Sequence, residues 1–414
     1  MIYTLYRLLM WSLVPLAGLR LLIRARRQPA YLENVAERFG FYKQTATQPV
    51  IWIHAVSVGE TRAAEPLIEA LIHRHPDKQI LLTNMTPTGR ETSQQLFGDR
   101  VLRCYLPYDL GPAVNRFLHH FSPVCALVME TELWPTLVAR SFRRGVPVQL
   151  VNARLSDRSA RRYARFGTLT RRMLDQLRII CAQTDRDATR FRELGAIHIE
   201  VTGNLKFDRA VPQPQLALGA HLKQLFGEHR HVFVAASTRD GEEELVLDAI
   251  GSVSIPGLLT VIVPRHPQRF DVVAELLHKS GVRFQRRSEN KPIDDDTRVV
   301  LGDSMGEMFA YYVACDIAFV GGSLLPLGGQ NLLEACAVSK PVIVGPYTFN
   351  FEEATEQAIA AGAACRVDNA AMLASTLMNL LADPARAKQI GDAGRQFMQQ
   401  HRGATQRTLS AVGL

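Results

Sequence analysis

The 414-residue sequence has no C-x-x-C pair, no His/Cys cluster at zinc spacing and no low-complexity tract. These absences exclude a zinc module and a disordered repeat protein. Its six cysteines (Cys104, Cys125, Cys181, Cys315, Cys336 and Cys365) are scattered, most of them in apolar runs such as Val124-Cys125-Ala126-Leu127. That usage reads as buried free thiols of a cytosol-facing protein. One acidic run, Asp294-Asp295-Asp296, resembles a metal ligand set, but it lies in a Lys/Pro/Asp-rich loop before a strand. A solvated loop is the better reading, so no metal is expected. What is present is globular: 47% of residues are apolar and 21% charged. The length calls for two domains. A net charge of +8 favours an anionic partner: nucleic acid, a membrane surface or a phosphorylated substrate.

The first residues, MIYTLYRLLMWSLVPLAGLRLLIRARR, are apolar from Ile2 to Ile23 apart from Arg7 and Arg20, with Pro15 and Gly18 inside. A spanning helix needs ~20 mainly apolar residues, which makes this one marginal. Arg20, Arg24, Arg26 and Arg27 follow or close it, without a small-residue cleavage site. Positive charge on the downstream side keeps the rest of the chain in the cytoplasm. Residues 1–27 therefore read as an uncleaved anchor, either a single span or a helix lying in the interface. The alternative is an apolar helix packed on the protein's own body.

Short apolar runs then alternate with helical patterns. Strands are expected at 50–56, 79–84, 101–107, 124–130, 147–153, 178–184 and 199–204. A second set is expected at 231–237, 258–264, 282–286, 298–303, 317–322 and 341–346. Near-continuous apolar strands between helices mean parallel sheets covered on both faces, and two series mean two Rossmann-like α/β domains. The boundaries are set at 28–205 and 206–414, with the last helices packing back across the join. Ligands of such sheets bind beyond the carboxyl ends of strands.

Four strand-to-helix turns carry a cap-x-x-Glu sequence: Ser57 to Glu60 with Gly59 inside, Asp240 to Glu243, Ser304 to Glu307, and Asn331 to Glu334. Each is read first as a capping box. Together they predict helix N-termini at the sheet edge, which suit a phosphate. The loop Gly321-Gly322-Ser323 to Gly328-Gly329-Gln330 matches neither G-x-G-x-x-G nor a P-loop, but its glycine pairs let backbone approach a ligand closely. Arg265-His266 ends another strand, where the forked guanidinium suits a phosphate. Glu130 and Glu132 close the fourth strand. They share one side of it if the strand runs on, and part if the chain turns after Glu130. Lys206 lies at the expected interdomain crossing. Arg158, Arg161, Arg162 and Arg165 make one face of a basic amphipathic helix suited to anionic lipid or a phosphorylated acceptor.

The segments HAVSVGET, MTPTGRE, YLPYD, METELWP, VNARLSDRS, VTGNLKFD, AASTRDGEEE, VPRHPQRF, LGDSMGEM, FVGGSLLPLGGQNLLEA and GPYTFNF, in that order and spacing, resemble the bacterial 3-deoxy-D-manno-octulosonic acid (Kdo) transferases of lipopolysaccharide synthesis. The resemblance runs from the anchor to about residue 355. It implies a GT-B glycosyltransferase, two Rossmann-like domains facing a cleft, that is membrane-associated at the cytoplasmic face of the inner membrane. Such an enzyme transfers Kdo from CMP-Kdo to the tetraacylated, bisphosphorylated lipid A precursor, with inversion and with no metal or other cofactor. Matched motif by motif, Glu60 is implied as the general base, and Glu130 and Lys206 as transition-state supports. Ser57, Gly59 and the four arginines from Arg158 to Arg165 fall to the acceptor or membrane. Donor contacts are implied for Ser237, Thr238, Arg265, His266, Met305, Gly306, Glu307, Gly322, Ser323, Asn331, Leu332, Leu333 and Glu334. One departure is Gln330, where the resemblance leads us to expect histidine. The competing readings are another GT-B protein using a UDP-sugar, either a transferase or an epimerase, and a non-catalytic nucleotide-sugar or lipid-binding scaffold.

Overall fold

The computed structural model describes residues 2–26, 28–227 and 229–414. Met1 and Arg27, both counted into the expected anchor, lie outside the described residues. The chain divides into two compact units, residues 1–209 with 401–414, and residues 210–400. The boundary expected at 205/206 thus falls at 209/210, and Lys206 belongs to unit one. Burial gives the physical reason. Leu205 and Phe207 sit in the core of unit one, 0% and 4% exposed, and the Leu205 N–H donates to Asn152 Oδ1 at 3.0 Å. Residues 401–414 return to the same unit. Asp208 accepts from the Gly403 and Thr405 N–H groups, capping the helix Ala404–Val412.

Among the described residues of unit one, a seven-stranded parallel sheet runs in the order β3-β2-β1-β4-β5-β6-β7. The strands are β1 (Val50–His54), β2 (Gln79–Asn84), β3 (Val101–Tyr105), β4 (Cys125–Met129), β5 (Val148–Ala153), β6 (Leu177–Ala182) and β7 (Ile199–Val201). Alternate residues of β1 serve opposite faces: Val50 and Trp52 join one apolar core, Ile51 and Ile53 the other. That two-sided burial is why the run is continuously apolar. Unit two repeats the plan. It holds β8 (Val232–Thr238), β9 (Leu259–Pro264), β10 (Phe284–Arg286), β11 (Val299–Leu301), β12 (Ile317–Val320), β13 (Val342–Val344) and β14 (Ala364–Arg366). They are ordered β10-β11-β9-β8-β12-β13-β14. Strand order reverses between β1 and β4 in unit one and between β8 and β12 in unit two, and a ligand crevice opens at such switch points.

The amino-terminal segment forms two helices, Ile2–Ser12 and Val14–Ala25, bent by 41° at their break. Among the described residues no single helix is long and apolar enough to cross a membrane. Leu5, Leu8, Trp11, Leu16, Leu22 and Ile23 are between 50% and 66% exposed. The Tyr3 hydroxyl donates to the Pro135 carbonyl at 2.8 Å and the Tyr6 hydroxyl to Asp109 Oδ2 at 2.7 Å, so the first helix is also seated on unit one.

Candidate active site

In unit one the chain leaves β1 through Ala55 and Val56 and enters the helix Val58–Arg74. Glu60, in the first turn, is 9% exposed. Its Oε2 accepts from the Val56 N–H at 2.8 Å and its Oε1 from the Ser57 hydroxyl at 3.1 Å. The capping box expected here does not form, because Glu60 takes the N–H of Val56 and not that of the cap residue Ser57. The serine hydroxyl donates to Glu60 and makes no cap hydrogen bond. Burial, then the negative charge of Glu130, and to a lesser extent Glu132, push the Glu60 carboxyl up to about 8, against the opposing hydrogen bonds from Val56 and Ser57. Gly59 is exposed on the same turn.

The hydrogen bond from Ser57 favours the ionised carboxylate. Ser57→Ala is therefore expected to move the Glu60 midpoint upward, as read by NMR titration of the carboxyl carbon, and to leave the melting temperature nearly unchanged. A fall of about 2–4 °C with an unmoved midpoint, the signature of a lost cap, would overturn this assignment.

The chain turns at Glu130, which stands just past β4 in the left-handed region at φ +55°, so the two carboxylates of METELWP part. Glu130 Oε1 lies 3.8 Å from Lys206 Nζ. Glu132 accepts from Trp134 Nε1 at 3.3 Å, and burial raises its carboxyl above the usual range. Lys206 is placed by a polar ladder. Asn204 Oδ1 accepts the Lys206 N–H, Asn204 Nδ2 donates to Gln183 Oε1, and Gln183 Nε2 donates to the Asn152 carbonyl. A base candidate, two further carboxylates and an ammonium thus share the carboxyl ends of β1 and β4. Arg158, Arg161, Arg162 and Arg165 are exposed on the helix Asp157–Arg165.

In unit two, Ser237 is left-handed at φ +56° beside a bulge in β8. Thr238 is 0% exposed and its hydroxyl donates to Glu243 Oε1 at 2.9 Å, so that side chain is not available to a donor. Glu243 pairs with Arg269 at 2.9 Å. Its neighbour Glu242, also 0% exposed, takes the N–H groups of Gly322, Ser323 and Leu324 and that of Arg239 at 3.0 Å. The backbone N–H groups of Gly322 and Ser323, expected to contact the sugar donor, are thus already committed to a carboxylate. A Cβ on Gly321 would fall 2.8 Å from Thr238 Cα, and one on Gly345 2.2 Å from the Ser323 carbonyl oxygen. Only glycine permits that approach of loop to strand.

Arg265 Nε donates to Gln330 Oε1 at 3.2 Å, so the residue that departs from the expected histidine orients this guanidinium. Partial burial first, then Arg265, Arg239 and Arg269, hold the His266 imidazole below its usual range. It is neutral near pH 7 and sits among cations. Met305 is 55% exposed and Gly306 is left-handed at φ +81°. Glu307 accepts from the Ser304 hydroxyl at 2.6 Å and from Arg287, and the helix begins after it, at Met308. The Ser304 capping box does not form. The helix after Asn331 spans only Leu333–Ala337; Asn331 Oδ1 accepts the Leu333 N–H. Leu332 and Leu333 are 0% and 2% exposed, so their side chains belong to the core, while Glu334 stands in the first turn. Asp294, Asp295 and Asp296 lie on an exposed loop. Among the described residues no group of three or more His, Cys, Asp or Glu is placed to hold a metal ion.

Sequence reasoning passed over Glu242, Asn152, Gln183 and Asp109. The available signal was a polar side chain at the end of an apolar strand, as in QLVNA and CAQT, or one carboxylate too many in DGEEE.

A family profile described as 3-Deoxy-D-manno-octulosonic-acid transferase (kdotransferase) matches residues 33–209, and one described as Glycosyl transferases group 1 matches residues 265–397. The 3-deoxy-D-manno-octulosonic acid transferase of Bordetella pertussis is 44% identical over 98% of each chain. That of Haemophilus influenzae is 40% identical over 93% of this chain and 92% of its own. The solved UDP-GlcNAc 2-epimerase of Neisseria meningitidis covers 88% of this chain and 99% of its own at 15% identity, with a TM-score of 0.61. At that identity the likeness speaks for the fold alone.

Proposed function

The chain belongs to the 3-deoxy-D-manno-octulosonic acid (Kdo) transferase family, and on that premise we propose that it moves Kdo from CMP-Kdo to the tetraacylated lipid A precursor, lipid IVA. One or more Kdo residues are added, with inversion and without a catalytic metal or other cofactor. The observation that carries this reading is Glu60: a buried carboxyl lifted to about 8, at the switch point of the unit one sheet.

A sugar hydroxyl is a poor nucleophile until its proton is removed, and a base titrating near working pH does this best. Glu60 Oε takes that proton as the hydroxyl oxygen bonds to the anomeric carbon. The bond from that carbon to the CMP phosphate oxygen breaks on the opposite face, and CMP leaves with the electron pair. Arg265, oriented by Gln330, meets the charge that grows on the phosphate. Lys206, held against Glu130, gives the carboxylate-rich pocket of unit one a positive group for an anionic substrate. His266, Met305, Gly306, Glu307, Asn331 and Glu334 line the donor side. Ser237 and the turn held by Glu242 contribute backbone shape rather than free phosphate donors.

The two amino-terminal helices lie in the cytoplasmic interface of the inner membrane, with the exposed leucines in lipid. The bend and the tyrosine contacts support lying over spanning. The arginines of Asp157–Arg165 meet lipid headgroups or acceptor phosphates, so the net positive charge serves a lipid surface and not nucleic acid. The test is mass spectrometry of the product formed from lipid IVA and CMP-Kdo by the full-length protein. Kdo added to the acceptor, with CMP released in equal amount, is the expected result. A protein that releases no CMP and leaves the acceptor unmodified would overturn the proposal.

A further inference from the structure

We infer that Tyr3 and Tyr6 are positioning residues for the carboxylate loop of unit one, acting through the helix Pro135–Arg143, so that the membrane helix also sets the active site. This rests on the reading of Glu60 as the base.

An apolar anchor needs no hydroxyl groups on the side facing its own protein. Here two adjacent turns of the first helix each deliver one. Tyr3 reaches the carbonyl of Pro135, the first residue of the helix. Tyr6 reaches Asp109 Oδ2. Asp109 is 2% exposed, and it accepts the Thr136 N–H at 2.8 Å and the Leu137 N–H at 2.7 Å, both in the first turn of that helix. One carboxylate thus joins the anchor hydroxyl to the helix N-terminus, where a negative charge is favoured. Burial raises the Asp109 carboxyl, and the hydrogen bond from Tyr6 is foremost among the contacts that oppose this rise.

The helix start is in turn bound to the loop. Trp134 precedes Pro135, its indole N–H donates to Glu132, and its ring meets that of the buried His54 edge-on at 6.2 Å. Leu133 is 7% exposed in the core. Glu130 and Glu132, at the other end of this short tether, are two of the causes that lift Glu60. A shift of the helix start therefore moves the charges that set the base. The opposite side of the anchor carries Leu5, Leu8, Leu9 and Trp11, all exposed, so lipid contact and loop contact fall on different side chains and can be separated.

The test compares full-length wild type with Tyr3→Phe/Tyr6→Phe, which keeps the rings and removes only the hydroxyls, and with Leu5→Ser/Leu8→Ser. Three quantities are read: flotation with phosphatidylglycerol–phosphatidylethanolamine vesicles, kcat and KM for CMP-Kdo with lipid IVA, and the Glu60 midpoint by carboxyl-carbon NMR. The tyrosine variant is expected to float like wild type, lose about tenfold in kcat from misplaced groups with KM for the donor unchanged, and show a shifted Glu60 midpoint. The leucine variant is expected to lose flotation and keep its kcat and midpoint in detergent micelles. A tyrosine variant with wild-type kcat and midpoint would overturn the inference, as would one that loses flotation and turnover together with the midpoint unmoved. Should the double variant not fold, Tyr6→Phe alone answers the same question. If wild type itself makes no product, the functional reading fails, while the Glu60 midpoint still decides the positioning role without any substrate.

Discussion

Glu60→Gln is expected to lower turnover by about 10²–10⁴-fold, the usual contribution of a positioned general base, while the protein folds and still binds CMP. Gln keeps one oxygen to accept the Val56 N–H and loses the carboxylate oxygen that, on the proposed reading, takes the acceptor's proton. The wild-type rate should rise with pH through a midpoint near 8, because only the ionised carboxylate is a base and burial holds the proton on until then. Stability should run the other way. The folded-state value lies above that of an unfolded glutamate, so the native state binds the extra proton between the two and stability falls as pH rises toward about 8. Glu60→Gln has no such group to ionise, and its melting temperature should hold between pH 4.5 and about 8, where that of wild type declines. Full turnover by the variant, or a wild-type rate flat between pH 6 and 9, would sink the assignment.

Glu242→Gln is expected to be the most damaging single change in unit two. The carboxylate stands alone against four backbone N–H groups, from Arg239, Gly322, Ser323 and Leu324. An amide offers one accepting oxygen and turns its own NH₂ toward the remaining donors. Leaving even two buried N–H groups unmatched costs about 2–6 kcal/mol. The turn after β12 should open, the melting temperature should fall by several degrees, and CMP should protect the protein far less. Calorimetry with and without CMP reads both effects. A variant with the stability and CMP affinity of wild type would show that the turn holds itself.

How far the sequence reached can be judged from particular elements. Residues 50–56 announce β1 by a run that is apolar but for His54, yet the strand stops at His54, because Ala55 and Val56 stay apolar while the backbone already turns toward Ser57. β14 carries no such signal: Ala364-Cys365-Arg366 is three residues with a charge at its end. Glu60 stands out because Ser-x-x-Glu is a local pattern, although the Ser57 hydroxyl serves the carboxylate rather than the helix. Glu242 could not be read the same way. Three of its four partners are 80 to 82 residues further along the chain, and only the fold brings them together. Leu332 and Leu333 look like part of a ligand loop by their place in the motif, yet a two-sided sheet needs apolar side chains there, and packing claims them.

The return of residues 401–414 to unit one has a consequence for synthesis. Unit two is an insertion: its whole sequence emerges from the ribosome between the two parts of unit one. At ~5–20 residues per second that interval is roughly 10–40 s. During it, the surface formed by Ile179, Cys181 and Leu205 lacks the Ala404, Leu409 and Val412 side chains that join it in one core. The unit begun first is thus completed last, after the inserted one can already have folded. Nascent chains stalled before residue 401 should therefore recruit a chaperone or protease through unit one, and chains in which residues 401–414 have reached unit one should not.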